Sequence, residues 1–133
     1  KKVGKEIANT LNADFEEIVE IGSRKGFFGF LRSGFEARKE RSSRIRPLNN
    51  NIYKYKRIII GTPVWAGYIR PALRTFLKLN YLEDKKIHLF FTSGTGEINK
   101  AVHSIELILP FKFKGKILSI KKGKIKKNNY TKL

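Results

Sequence analysis

The sequence has no cysteine and no methionine, and its 133 residues include only two histidines and four prolines. Without cysteine there is no disulfide scaffold, no thiolate metal site and no cysteine nucleophile. Two histidines leave little material for a histidine-based metal centre. The lack of cysteine also fits a reducing compartment, so a cytoplasmic location is the expectation. No apolar run approaches the roughly 20 residues that span a bilayer. Lys1 and Lys2 lead into a polar amphipathic stretch rather than the apolar core of a signal peptide. Acidic residues are scarce: 11 Asp and Glu stand against 29 Lys and Arg, a formal net charge of +18. Such an imbalance attracts anions, whether acidic proteins, nucleic acid or anionic lipid, and says nothing about fold.

The length suits one domain over residues 1–133 and is enough to bury a core without covalent staples. Val3, Ile7, Ala8 and Leu11 recur at helical spacing and predict a helix over 1–11. Residues 15–21 alternate with period two but are rich in glutamate, which predicts a half-solvated edge strand. The β-branched run 57–61, ending at Gly61, has the composition of a strand buried on both faces, as has 87–91. Pro71 opens a helix carrying Ala72, Leu73, Phe76 and Leu77. Ile98, Ala101, Val102, Ile105, Ile108 and Leu109 form one stripe of a helix over 97–109, closed by Pro110. Ile117–Ile120 predicts a last short strand, and 121–133 a basic, frayed tail.

Strands alternating with helices imply a parallel sheet with helices on both faces, a doubly wound three-layer α/β/α architecture. In such sheets ligands bind at the carboxyl ends of the strands. Two loops occupy such ends, 62–67 and 92–96. The first carries the sole tryptophan, Trp65, which either stacks on a ligand or packs as a loop aromatic. Thr62 and Thr92 either bond a ligand or cap the turns that follow. Ser93 has no His or Asp arrangement to make it a nucleophile. His88 reads as a packed histidine within a strand and His103 as a solvated one on the polar side of its helix.

The stretch Gly61-Thr-Pro-Val-Trp-Ala-Gly67, followed by Arg70-Pro-Ala-Leu-Arg-Thr-Phe-Leu77, resembles the flavodoxin family. There a buried strand ends in a Gly-Thr-Pro-aromatic-Gly loop and the next helix opens near a proline. Phe91-Thr-Ser-Gly-Thr-Gly96 resembles the family's second flavin loop, and Lys1–Ala8 the start of its first helix. The resemblance spans about residues 1–120, apart from 22–56. It implies a five-stranded flavodoxin-like sheet of order 2-1-3-4-5 holding FMN. Thr62, Pro63, Val64, Trp65, Ala66 and Gly67 would form one flavin-contacting loop, and Thr92, Ser93, Gly94, Thr95 and Gly96 the other. Trp65 would stack on the isoalloxazine, since an indole face offers area and stacking to a flat ring. Glycines let backbone amides approach the ring's polar edge and tune its reduction. The family's first strand and its Ser/Thr-rich phosphate loop would lie before Lys1. With no initiator methionine, the expectation is a natural protein with a further N-terminal segment.

The resemblance implies an FMN-binding electron-transfer protein. An FMN-dependent NAD(P)H reductase of a small acceptor such as a quinone is the alternative, and a flavin-free basic binding module the third. A carrier with this charge would need an acidic redox partner. Residues 22–56 form a basic, aromatic connection. Within it, Phe27, Phe28, Leu31 and Phe35 among many Arg and Lys either cover the sheet as a helix or place 22–46 on an anionic membrane surface. Nucleic acid would bind only nonspecifically and in a salt-sensitive way.

Overall fold

The computed structural model describes residues 1–22, 43–121 and 133. These residues form three strands and three α-helices: α1 Lys2–Leu11, β1 Arg57–Pro63, α2 Pro71–Leu79, β2 Lys86–Ser93, α3 Asn99–Ile108 and β3 Ile117–Lys121. The strands make one sheet of order β1-β2-β3. Both pairings are parallel, with Gly61 opposite Phe90 and Pro63 opposite Thr92 in the first, and Phe91 opposite Ser119 in the second. All three strands therefore end on the same edge, and the loops that follow them emerge together.

β2 is central, and its apolar run is explained by cover on both sides. Ile87, Leu89 and Phe91 join Ile60, Leu73, Phe76, Leu77, Ala101 and Ile105 in the larger core, beneath α2 and α3. Phe90 points the other way and packs with Ile7 of α1, Ile120 and Leu133. Period-two alternation thus sends neighbouring residues to opposite layers, giving the α/β/α arrangement. Two successive crossovers of one hand place α2 and α3 on one face. α1 presents Ile7 and Ala8, both buried, to the other face.

Gly61 and Gly115 are fixed by packing. A Cβ on Gly61 would lie 1.8 Å from Cζ of Phe90, the outer end of its ring. A Cβ on Gly115 would lie 1.7 Å from the carbonyl oxygen of Ile87. Gly61 is thus explained by Phe90 rather than by ligand approach.

Several boundaries differ from expectation. Residues 15–21 form no strand of the sheet. Among the described residues their backbone pairing is one antiparallel bridge between Glu20 and Ile45, with Ile21 N–H donating to Arg44 C=O at 2.8 Å and Arg46 N–H to Val19 C=O at 2.8 Å. The glutamates that suggested a solvated edge are used locally. The Glu16 carboxylate accepts from the backbone N–H groups of Asn49 at 2.6 Å and Asn50 at 2.9 Å, and Glu17 pairs with Lys1 at 2.7 Å. β2 continues through Thr92 and Ser93, so the second loop begins at Gly94. Of the basic tail only Lys121 and Leu133 are described, and Leu133 is buried rather than frayed. The aromatic–basic residues Phe27, Phe28, Leu31 and Phe35 lie outside the described residues. No described helix is long and apolar enough to cross a membrane.

Candidate functional site

The first loop starts where β1 ends. Val64 N–H donates to the Thr92 carbonyl at 2.9 Å, clamping the beginning of this loop to the end of β2. The next four residues close a two-residue turn. Trp65 N–H donates to Tyr68 C=O at 3.2 Å and Tyr68 N–H to Trp65 C=O at 2.9 Å. Ala66 at φ 51° and Gly67 at φ 85° are both left-handed, the conformation of a type I′ turn. Gly67 suits it; Ala66 carries a Cβ penalty there. The turn stands against α3, because a Cβ on Gly67 would lie 3.1 Å from Cδ of Lys100. Ile69, fully buried, anchors the loop to the core before Pro71 begins α2.

The second loop is braced by its own hydroxyls. Ser93 Oγ accepts from Gly96 N–H at 3.1 Å, and Thr95 Oγ1 accepts from Glu97 N–H at 3.2 Å. Ser119 of β3 donates from Oγ to the Gly96 carbonyl at 3.1 Å, so all three strands support this edge. Gly96 takes φ 89°, and the space beside Gly94 is open. The backbone N–H groups of Gly67, Gly94 and Thr95 donate to no described residue. Both loops therefore offer amide donors.

Thr62 is buried and its hydroxyl donates to the Pro63 carbonyl at 3.1 Å. Thr92 contributes its carbonyl to the clamp. Ser93 is buried and occupied by its turn. Pro63, Trp65 and Gly67 are half-buried and Ala66 is exposed at the tip of its turn. His103 is exposed, facing Glu106 at 4.0 Å. His88 is buried. Its Nδ1 accepts from Lys116 N–H at 3.2 Å, and Nε2 has no partner among the described residues. Burial, then the charges of Arg57, Lys86 and Lys116, hold its pKa below the ordinary value.

Two residues escaped sequence reasoning. The Arg70 guanidinium carbon lies 5.3 Å from the centroid of the Trp65 ring, and Lys100 packs on Gly67. Neither spacing has a periodic signature, since one contact crosses a turn and the other joins distant segments. The N-termini of α2 and α3 open on this same edge, adding positive potential. Glu17, near Arg70 and the chain's amino group, is held below the usual carboxylate range by its hydrogen bond from Lys1.

The described residues contain no group of three or more His, Asp or Glu able to hold a metal. A groove of about 300 Å³, lined by Ile45, Leu48, Ile52, Tyr53 and Leu79 among others, lies at the other end of the sheet, by the start of β1 and the end of α2. The loop edge thus combines unbonded amides, a half-exposed indole and basic side chains, which suits a flat ring with a polar, electron-rich rim.

Three solved structures share this fold. A "putative flavoprotein" from Bacteroides eggerthii superposes with TM-score 0.79 at 18% identity, covering 96% of this chain and 82% of its own. A second "putative flavoprotein", from Bacteroides uniformis, gives 0.70 at 20% identity over 95% and 83%. A flavoprotein from Lactobacillus acidophilus, solved in complex with FMN, gives 0.67 at 21% identity over 87% and 85%. No curated protein matches the chain. The flavodoxin family model matches residues 1–132, and the chain belongs to the flavodoxin family.

Proposed function

We propose that this protein binds FMN between loops 62–67 and 92–96 and serves in electron transfer. The observation that carries this reading is the Val64–Thr92 clamp, which sets the indole-bearing turn beside the glycine-rich one at the carboxyl edge of adjacent parallel strands. A relative of the same fold was solved with FMN, which supports the cofactor. The residues present fit the ring end of that molecule. Trp65 supplies an aromatic face. The amides of Gly67, Gly94 and Thr95 supply donors for a polar rim, with Pro63, Val64, Ala66, Ser93 and Gly96 shaping the loops. Thr62 and Thr92 act as structural members of the cleft, given where their polar atoms are bonded. Bound FMN supplies the redox chemistry, and the protein supplies orientation and electrostatics.

With a net charge of +18, the protein partner is acidic, and its association slows as salt rises. Lys100 and Arg70 at the cleft favour a second reading, in which a nicotinamide dinucleotide, itself anionic, reduces the flavin directly and a quinone-like acceptor reoxidises it. The test is the visible spectrum of the full-length gene product. Yellow protein with releasable FMN is expected, bleached only in the presence of a reductase. Bleaching by NADH or NADPH alone selects the second reading, and a colourless protein that takes up no FMN rejects both.

A further inference from the structure

Arg70 borders the indole-bearing turn of this cleft. It stands at the N-cap of α2 without making a side-chain cap bond. Its guanidinium lies over the Trp65 ring at 5.3 Å, within cation–π range. Its Nε is buried and has no hydrogen-bond partner among the described residues. Among the described residues, this charge is placed against an aromatic face. The carboxylate coupled to it, Glu17, is itself bonded to Lys1 at 2.7 Å. The aliphatic stem of Lys100 packs against Gly67 of the same turn.

Reduction makes a flavin ring more negative, and charge near the ring is a lever by which a protein sets its potential. We infer that Arg70 is a tuning residue that raises the reduction potential of the flavin held by these loops, acting through its charge at the Trp65 face. The inference rests on the flavin reading above. A unit charge several ångströms away in a partly solvated cleft contributes about a tenfold preference for the reduced over the oxidised ring. For a two-electron couple, tenfold corresponds to about 30 mV.

The test compares the FMN-loaded full-length protein with Arg70→Gln and Arg70→Lys by redox titration against a dye of known potential, alongside the affinity for oxidised FMN. Arg70→Gln is expected to lower the potential by about 30 mV, the tenfold loss. Arg70→Lys is expected to stay near the unaltered value. Arg70→Met, which keeps length without charge, repeats the comparison if the glutamine variant fails to fold. Equal potentials in all variants overturn the tuning role, as does a lysine variant that falls as far as glutamine, since geometry rather than charge would then be responsible. Failure of the unaltered protein to take up FMN overturns the flavin reading and this inference with it, and is seen before any variant is compared.

Discussion

Gly61 provides the sharpest test of how the sheet supports the site. It lies in β1 with an extended backbone that alanine adopts freely. In open space Gly61→Ala would stabilise the protein by about 0.4–1 kcal/mol, through the reduced entropy of the unfolded chain. The structure reverses that sign. The new Cβ would meet Cζ, Cε1 and Cε2 of Phe90 at 1.8, 2.1 and 2.5 Å. The ring cannot simply swing away, because it is packed with Ile7, Ile120 and Leu133 and approaches Gly4 of α1. Overpacking of this kind costs about 1–3 kcal/mol. For a chain of this size that lowers Tm by about 4–12 °C. The partner substitution follows directly: with Phe90→Leu in place, Gly61→Ala should lose most of its cost. The assay is urea unfolding of the four proteins by circular dichroism. The account predicts that the double variant beats the sum of the single effects by about 1 kcal/mol or more. A Gly61→Ala variant as stable as the parent, or additivity within about 0.5 kcal/mol, would refute it.

Three further outcomes follow from the site and the sheet. Trp65→Ala should weaken FMN binding about tenfold, corresponding to about 1.4 kcal/mol of lost stacking, measured by flavin fluorescence; unchanged affinity would remove Trp65 from the site. Ala66→Asn should raise stability by up to about 1 kcal/mol, because asparagine tolerates the left-handed position of a type I′ turn; a lower Tm would contradict the turn assignment. His88 has a folded pKa below its unfolded value, so the unfolded chain takes up the proton first. Its contribution to stability is present above about pH 6.5 and is lost as pH falls below that value. In His88→Asn, whose Oδ1 matches the Nδ1 acceptor for Lys116 N–H, the fall in stability between about pH 6.5 and about pH 5 should be shallower, as read from urea midpoints.

Much of the fold was legible because hydrophobic period and length agree. The runs 57–61 and 87–91 are too apolar for a solvated strand, and the stripes of 71–79 and 98–109 fit helices alone. The preference of ligands for the carboxyl ends of parallel strands then singled out both loops before any contact was known. What was hidden depended on register. Gly61 faces Phe90 only once β1 and β2 are aligned, so its need for a hydrogen side chain could not be read locally. Residues 15–21 have the alternation of a strand, yet Glu16 is committed to Asn49 and Asn50. Burial works to raise its pKa, but those hydrogen bonds outweigh it and hold the carboxyl below its usual range. The Arg70–Trp65 contact joins residues five apart across a turn, a separation that favours neither helix nor strand. Leu133 looked like the end of a basic tail and instead fills the layer under α1.

The most direct measurement is amide chemical-shift mapping as FMN is added to the flavin-free full-length protein. The account predicts saturable changes concentrated at Trp65, Gly67, Gly94, Thr95 and Gly96, including the Trp65 indole N–H, with the residues around Ile45–Asn51 unmoved. Changes centred on that distant groove, or none at all, would contradict it.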